Sequence, residues 1–433
     1  MRSKFYLKLA LGLALTASVA GAQDRGKIRQ LGPVVAKSTE TVTNPTVRTL
    51  SGGILVNETS KRRVVLFDST LSKFTVVADT TSDTGNAYAG RFASLIGFKG
   101  DSSLFMDAQS MSMLVIDPNG KIARVMSMPG SQSSFGLGLP GAAFDGRGHL
   151  IFRGAPAPRM PTFGPNGPTS APEFPDSVPI MRIDLATRAL DTLSWVKVQK
   201  IKMEITRSED GRMSMSSQIN PLPIVDEMAI LPDGSVALIR GKDYHVDFVN
   251  SDGTKLSAAK IPFDWQRLTD EDKIALMDSV KAARERMAAA TPAVALGSAG
   301  GAQVAIGGGG GGGGAPQINI QFGGGGPGGG PGGAPRPAPP MNFVPASELP
   351  DYKPPFFAGA SRVDADGNIW IRTIPTKSIP GGPVYDVISR KGELVERVQV
   401  PANSSIIGFG PNGSVYMTVR EGDNTFLQRA RIR

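Results

Sequence analysis

The chain has 433 residues, with 47 Lys and Arg against 38 Asp and Glu, two His and no Cys. Without Cys there are no disulfides, no thiolate zinc sites and no Cys nucleophile. A mild basic excess without long blocks of like charge gives no nucleic-acid footprint. A length of this order ordinarily implies two or three domains, unless a repeat ties the whole chain into one.

Residues 1–22 open with Arg2, Lys4 and Lys8, pass through an apolar run over 9–19 and reach Ala20-Gly21-Ala22, a small-residue cleavage position. The apolar run is too short to span a bilayer, and no Cys follows it for lipid attachment. The expectation is a signal peptide cut after Ala22 and a periplasmic or secreted product with no membrane span, acting as a monomer. Its removal leaves 44 basic against 38 acidic side chains. The densest cluster, Lys61-Arg62-Arg63, falls at an expected turn and reads as a solvated loop.

Two kinds of turn then alternate along the chain, separated by β-rich runs. The first falls at Ser51-Gly52-Gly53, Gly100-Asp101, Asp145-Gly146, Asp233-Gly234, Asp366-Gly367 and Asn412-Gly413. The second falls at Asp68-Ser69-Thr70, Asp117-Pro118-Asn119-Gly120, Asp184-Leu185-Ala186-Thr187, Asn250-Ser251-Asp252-Gly253 and Ser389-Arg390-Lys391-Gly392. Gly supplies positive φ, and Asp or Asn caps its own turn. Successive first-type turns are 49, 46, 87, 133 and 46 residues apart, so a unit of some 47 residues is interrupted twice. Such a unit buries little alone and stacks beside its neighbours around an axis, as blades of a β-propeller do.

In the shorter interruption, residues 154–179 are rich in Pro and Gly and read as a loop. Residues 195–219 then read as a hairpin turning at Ser208-Glu209-Asp210-Gly211 and extending the blade outward. No further Asp-led turn precedes Asp233, so the count is six blades rather than seven. In the longer interruption, residues 265–290 carry a helix. Thr269 is its N-cap, Asp270, Glu271 and Asp272 fill its first turn, and Leu276, Val280, Ala283 and Met287 form an apolar stripe. Residues 291–350, with their glycine runs, have little to bury and are expected to be disordered.

The last unit holds only three strands before the chain ends. A ring cannot leave that edge open without inviting pairing with other chains, so the segment between Lys27 and Thr39 is expected to return and complete it. The fold class expected is all-β, a single six-bladed β-propeller over residues 23–433.

The run Val363-Asp364-Ala365-Asp366-Gly367-Asn368-Ile369-Trp370-Ile371 and the phrase Leu231-Pro232-Asp233-Gly234 resemble blades of the NHL and TolB-like six-bladed propellers. The Trp-Asp signature of WD40 blades and the Pro-x-Gly lead-in of a good NHL repeat are missing. As a whole the chain is similar to secreted bacterial six-bladed propellers that carry a helical and Gly/Pro-rich insertion. That resemblance implies a fold and no particular chemistry.

Candidate functional residues are few. If Arg240-Gly241-Lys242-Asp243-Tyr244-His245-Val246-Asp247-Phe248 is extended, Asp243, His245 and Asp247 share one face and Tyr244, Val246 and Phe248 the other. The trio can serve as hydrogen bonds between blades, or it can hold a divalent cation or orient a general base. Trp265 and Arg267, just before the helix, either form a recognition patch with Arg240 and the trio or anchor the helix to the ring. His149 opens a strand after a turn and reads as incidental. The glycine runs lack the spacing of a phosphate loop, and the Asp-led turns lack the ligand pattern of calcium loops.

The first functional expectation is a binding or scaffolding propeller for an unidentified protein or small-molecule ligand, with no cofactor. The alternative is a metal-assisted lactonase- or esterase-like hydrolase or lyase on the propeller axis, with Asp243, His245 and Asp247 as catalytic and cation-binding residues.

Overall fold

In the second strand of the fourth sheet, Val236 and Leu238 pack against the preceding sheet while Ala237 and Ile239 pack against the following one. Both faces of that strand are dry, so its sequence is apolar throughout rather than alternating with polar residues. The same situation recurs around the molecule, because each sheet lies between two others. The computed structural model describes residues 27–432 except 91, 130–135, 139, 160–161, 165–166, 169, 208–212, 291–302, 308–316, 322–340 and 378. The expected signal peptide and most of the glycine runs lie outside the described residues.

The protein is a six-bladed β-propeller. Blade 1 is Pro45–Leu50, Gly53–Glu58, Arg63–Phe67 and Phe74–Ala78; blade 2 is Ala93–Gly97, Ser103–Asp107, Ser112–Ile116 and Ile122–Ser127. Blade 3 is Ala143–Phe144, His149–Arg153, Ser177–Asp184 and Leu190–Lys197; blade 4 is Glu227–Ile230, Val236–Arg240, His245–Val249 and Lys255–Ser257. Blade 5 is Ser361–Val363, Ile369–Arg372, Val384–Ile388 and Leu394–Gln399. Blade 6 takes Ser404–Gly410, Ser414–Glu421 and Asn424–Arg431 from the end of the chain and Val34–Thr41 from its beginning. First strands of adjacent blades lie side by side around the axis at five seams, and at the sixth the fourth strand of blade 3 meets the first strand of blade 4.

Six apolar clusters fill the six seams. Tyr88 and Phe105 lie between blades 1 and 2, Phe152 and Met106 between 2 and 3, and Val196 and Leu238 between 3 and 4. Ile239 and Ile371 lie between 4 and 5, Trp370 and Met417 between 5 and 6, and Phe67 and Leu427 between 6 and 1. Each fully buried side chain of this size contributes about 1.5–3 kcal/mol.

The amino-terminal strand completes blade 6 as expected, pairing antiparallel with Asn424–Arg431. A second staple was not expected: Ile28–Gln30 adds a fifth strand, parallel to Leu394–Gln399 of blade 5. Arg29 between them bonds Glu396 at 2.8 and 2.9 Å and the Ile432 carbonyl at 2.6 Å, tying both termini to blade 5.

Several expectations need correction. Trp195 belongs to the fourth strand of blade 3, because the alternation that begins at Leu190 continues through it. The hairpin is therefore Lys202–Arg207 with Met213–Ile219, its turn lies outside the described residues, and it does not extend blade 3. It pairs in parallel with Met341–Phe343 from the second insertion. The loop expected over 154–179 ends earlier, since Ser177, Val178 and Pro179 already pair in blade 3. Within the stretch expected to be disordered, Gln303–Gly307 pairs with Gln317–Gln321, where β-branched residues alternate. Ala346–Glu348 there forms a 3-10 turn.

The helix is Asp270–Ala290. Its start carries a reciprocal cap: Asp272 N–H donates to Thr269 Oγ1 at 3.2 Å, and Thr269 N–H to Asp272 Oδ2 at 3.0 Å. Of the expected stripe Val280 is buried and Leu276 and Ala283 are half-buried, while the Met287 side chain lies outside the described residues; Lys273 and Met277 complete the buried side. Met277 packs with Leu222, Val344 and Leu349, which locks the two insertions together.

Candidate functional site

The up-and-down order of every blade gives the ring two unlike faces. First-to-second and third-to-fourth turns end on one, which we term the turn face; second-to-third connections and links between blades end on the other. Both interruptions read from the sequence, with the helix and the 202–219 hairpin, leave from this second face, the insertion face.

Asp243, His245 and Asp247 lie towards the insertion face at the seam of blades 3 and 4. The strand begins only at His245, because Tyr244 adopts φ 50° in the turn before it. A bulky residue there is strained. Burial compensates: Tyr244 is fully enclosed, and its hydroxyl donates to Asp386 Oδ2 of blade 5 at 2.9 Å. Gly241 in the same turn has no alternative, since a Cβ there would sit 2.0 Å from the Val225 carbonyl oxygen.

His245 is held on both sides, Nδ1 at 2.7 Å from Asp243 Oδ1 and Nε2 at 3.2 Å from Asp247 Oδ1. Asp247 also accepts from Ser257 Oγ at 2.6 Å and from Arg240 Nε at 2.7 Å. Arg240 continues across the seam to Asp226 at 2.8 Å and to the Trp195 carbonyl of blade 3 at 3.0 Å. Burial opposes the Asp247 charge, but the hydroxyl of Ser257 and the guanidinium of Arg240 outweigh it and hold its carboxyl below the usual range. Burial likewise opposes the Arg240 charge, and Asp247 and Asp226 outweigh it, raising the guanidinium. A carboxylate held ionised in this way is a weak proton acceptor.

The trio is thus brought together, but by a third strand, two strands from the axis, and the turn that leads into it. The carboxylates stand on opposite sides of the imidazole, and one is taken up by Arg240. Among the described residues no three His, Cys, Asp or Glu side chains form a set that could hold a metal ion. The donors present therefore do not fit a divalent cation.

Trp265 and Arg267 belong to a different group, on the blade 5 side of the same strand. Phe263 packs edge-on against both Tyr244 (centroids 5.6 Å) and Trp265 (5.2 Å), and Trp265 meets Tyr352 at 6.5 Å. Arg267 pairs through its backbone with Tyr352, and Lys273, on the buried side of the helix, reaches Asp351 at 2.8 Å. Trp265 is 36 % and Tyr352 48 % exposed, so this rigid support presents an aromatic edge to solvent.

The turn face is built differently. Asp117 accepts from the N–H groups of Asn119 and Lys121, Asp145 from those of Arg147 and His149, and Asp364 from those of Asp366 and Asn368. His149 closes the blade 3 turn through Nδ1, 2.7 Å from Asp145. Burial would raise the Asp68 carboxyl, but hydrogen bonds from Thr70, Ser72 and Lys73 bring it down to about 2. The grooves of this face were missed in the sequence. One of about 470 Å³ lies between blades 6 and 1, lined by Thr49, Asp68, Arg429 and Arg431; another of about 390 Å³ lies between blades 5 and 6, lined by Asp364, Asp366 and Glu396. Each joins residues from separate blades, which no local motif signals.

Among the described residues, no helix is long and apolar enough to cross a membrane. No protein-family model matches the chain, and no curated protein sequence matches it. Solved structures do resemble it. They include regucalcin, a calcium-binding protein from Agrobacterium tumefaciens (12 % identity, 94 % of this chain and 98 % of that one, TM-score 0.33). Others are a DUF4221 family member from Bacteroides vulgatus (9 %, 93 % and 95 %, TM-score 0.38) and a luciferin-regenerating enzyme (10 %, 92 % of each chain, TM-score 0.31). Likeness at this level carries no argument about activity, and the propeller assignment rests on the strand topology of the chain itself.

Proposed function

We propose that the protein is an extracytoplasmic binding or scaffolding propeller that takes a protein partner on its insertion face, with Trp265, Tyr352 and Arg267 at the contact. The supporting observation is the exposed Trp265–Tyr352 pair, braced by Phe263 and by the ion pair of buried Lys273 with exposed Asp351. Aromatic and Arg side chains that are already ordered lose little entropy on association and carry much of the energy of protein interfaces. A lactonase-like reading would need the Asp243, His245 and Asp247 polar atoms for substrate or cation, and these atoms are engaged with one another, with Ser257 and with Arg240.

The test is crosslinking and capture from the native envelope with the wild-type chain and with Trp265→Ala, Tyr352→Ala and His245→Ala. The expected result is a partner retained by wild type and His245→Ala and lost with either aromatic substitution. Identical recovery with all four chains, or lactone turnover abolished by His245→Ala, would overturn the reading.

A further inference from the structure

The groove between blades 6 and 1 opens on the turn face, opposite the patch assigned to a partner. Its volume, about 470 Å³, lies within the range of small-molecule sites. Tyr416 and Ile54, both buried, form its apolar floor. Arg429 and Arg431 stand two apart on one strand and so point to the same side, where Leu427 of that strand packs against blade 1. Neither guanidinium has a hydrogen-bond or carboxylate partner among the described residues.

Two further residues belong to the same space. Thr49, at the end of the first strand of blade 1, lines it, although its Oγ1 is buried beside Gly410 rather than open to the groove. Asp68 takes three of its hydrogen bonds on Oδ1, from Thr70 N–H, Thr70 Oγ1 and Ser72 N–H, and one on Oδ2, from Ser72 Oγ. Oδ2 keeps room for another donor. Two guanidinium charges against one carboxylate leave the groove net positive, with both donors and an acceptor on offer.

We propose that this groove binds a small hydroxylated anion, its carboxylate or phosphate held by Arg429 and Arg431 and a neighbouring hydroxyl held by Asp68. Arg presents paired donors that match either head group. Asp68 selects for a ligand that also donates, and it disfavours a bare anion by repulsion. Because the groove joins the first blade to the last, an occupant also bridges the seam at which the ring closes, so binding raises the melting temperature by linkage.

The experiment is isothermal titration calorimetry of the full chain at low ionic strength with D-glycerate and with glycerol 3-phosphate, and with glycerol as the uncharged control. Saturable one-to-one binding of at least one anion is expected, weakening as salt is added, and the arm that binds identifies the head group. Arg429→Gln and Arg431→Gln should each weaken it by about tenfold or more, and Asp68→Asn should lessen its preference for a hydroxylated anion. Arg431 is exposed, so its variant should fold even if the one at Arg429 does not. Absence of binding by both anions, equal binding of glycerol, or unchanged affinity in a folded Arg431→Gln chain would each overturn the proposal.

Discussion

The two faces of the ring end the same strands in opposite ways. On the turn face each pair of strands closes over an aspartate, asparagine or glycine that satisfies its own backbone, and neighbouring turns pack closely; a Cβ on Gly52 would lie 2.3 Å from the Pro118 carbonyl oxygen. On the insertion face the connections grow into a helix, a hairpin and an exposed aromatic edge. Changes in the turns and seams should therefore cost stability, and changes in the insertions should cost recognition.

The largest effect expected comes from removing residues 27–41. That exposes the edge of Asn424–Arg431 and deletes the Arg29 staple, so the truncated chain should lose its cooperative melt and aggregate on size-exclusion chromatography. A folded monomer with the wild-type melting temperature would show that the ring does not depend on its closing strand. Next come the tryptophans, which separate seam from insertion. Trp370 is 1 % exposed and donates to Asp364 at 2.9 Å, so Trp370→Ala should cost about 3–5 kcal/mol in denaturant unfolding. Trp265→Ala, at a half-exposed site, should cost less than about 1 kcal/mol while removing partner capture. Equal costs would erase the distinction drawn between the two regions.

Tyr244→Phe should cost about 1–3 kcal/mol, because it leaves an oxygen of buried Asp386 short of a donor. Smaller still is the pH response of the turn face. Asp68, Asp145, Asp184, Asp233 and Asp252 all have carboxyls held below their ordinary value. A depressed folded value stabilises above the unfolded one, here 3.8, and that contribution is lost as pH falls, for Asp68 down to about 2. Asp386 runs the other way, because burial raises its carboxyl against the pull of Arg397 and Tyr244. The melting temperature should fall between about pH 4 and pH 2, and Asp68→Asn should flatten part of that fall.

The turn face was largely legible in the sequence, since an Asx or glycine turn is fixed by its own few residues. Counting strands in the last unit also revealed that the chain must close on itself. What stayed hidden depends on long-range juxtaposition. Ile28–Gln30 gains its place only because the end of the chain and blade 5 lie beside it. Trp195 was misassigned because blade strand and hairpin follow one another with no turn residue strong enough to part them. Asp243 and His245 were correctly paired, but through a left-handed turn at Tyr244 rather than along an extended strand. Arg429, Arg431 and Thr49 meet across two blades from opposite ends of the chain, beyond the reach of any local pattern.

Closure of the ring by the amino-terminal strand is the claim on which both faces depend. Hydrogen–deuterium exchange on the full chain tests it without altering a residue. Amides of Val34–Thr41 that are bonded to Asn424–Arg431 should exchange as slowly as that partner strand, both opening only with global unfolding. Rapid exchange throughout Val34–Thr41 beside a protected Asn424–Arg431 would contradict the account.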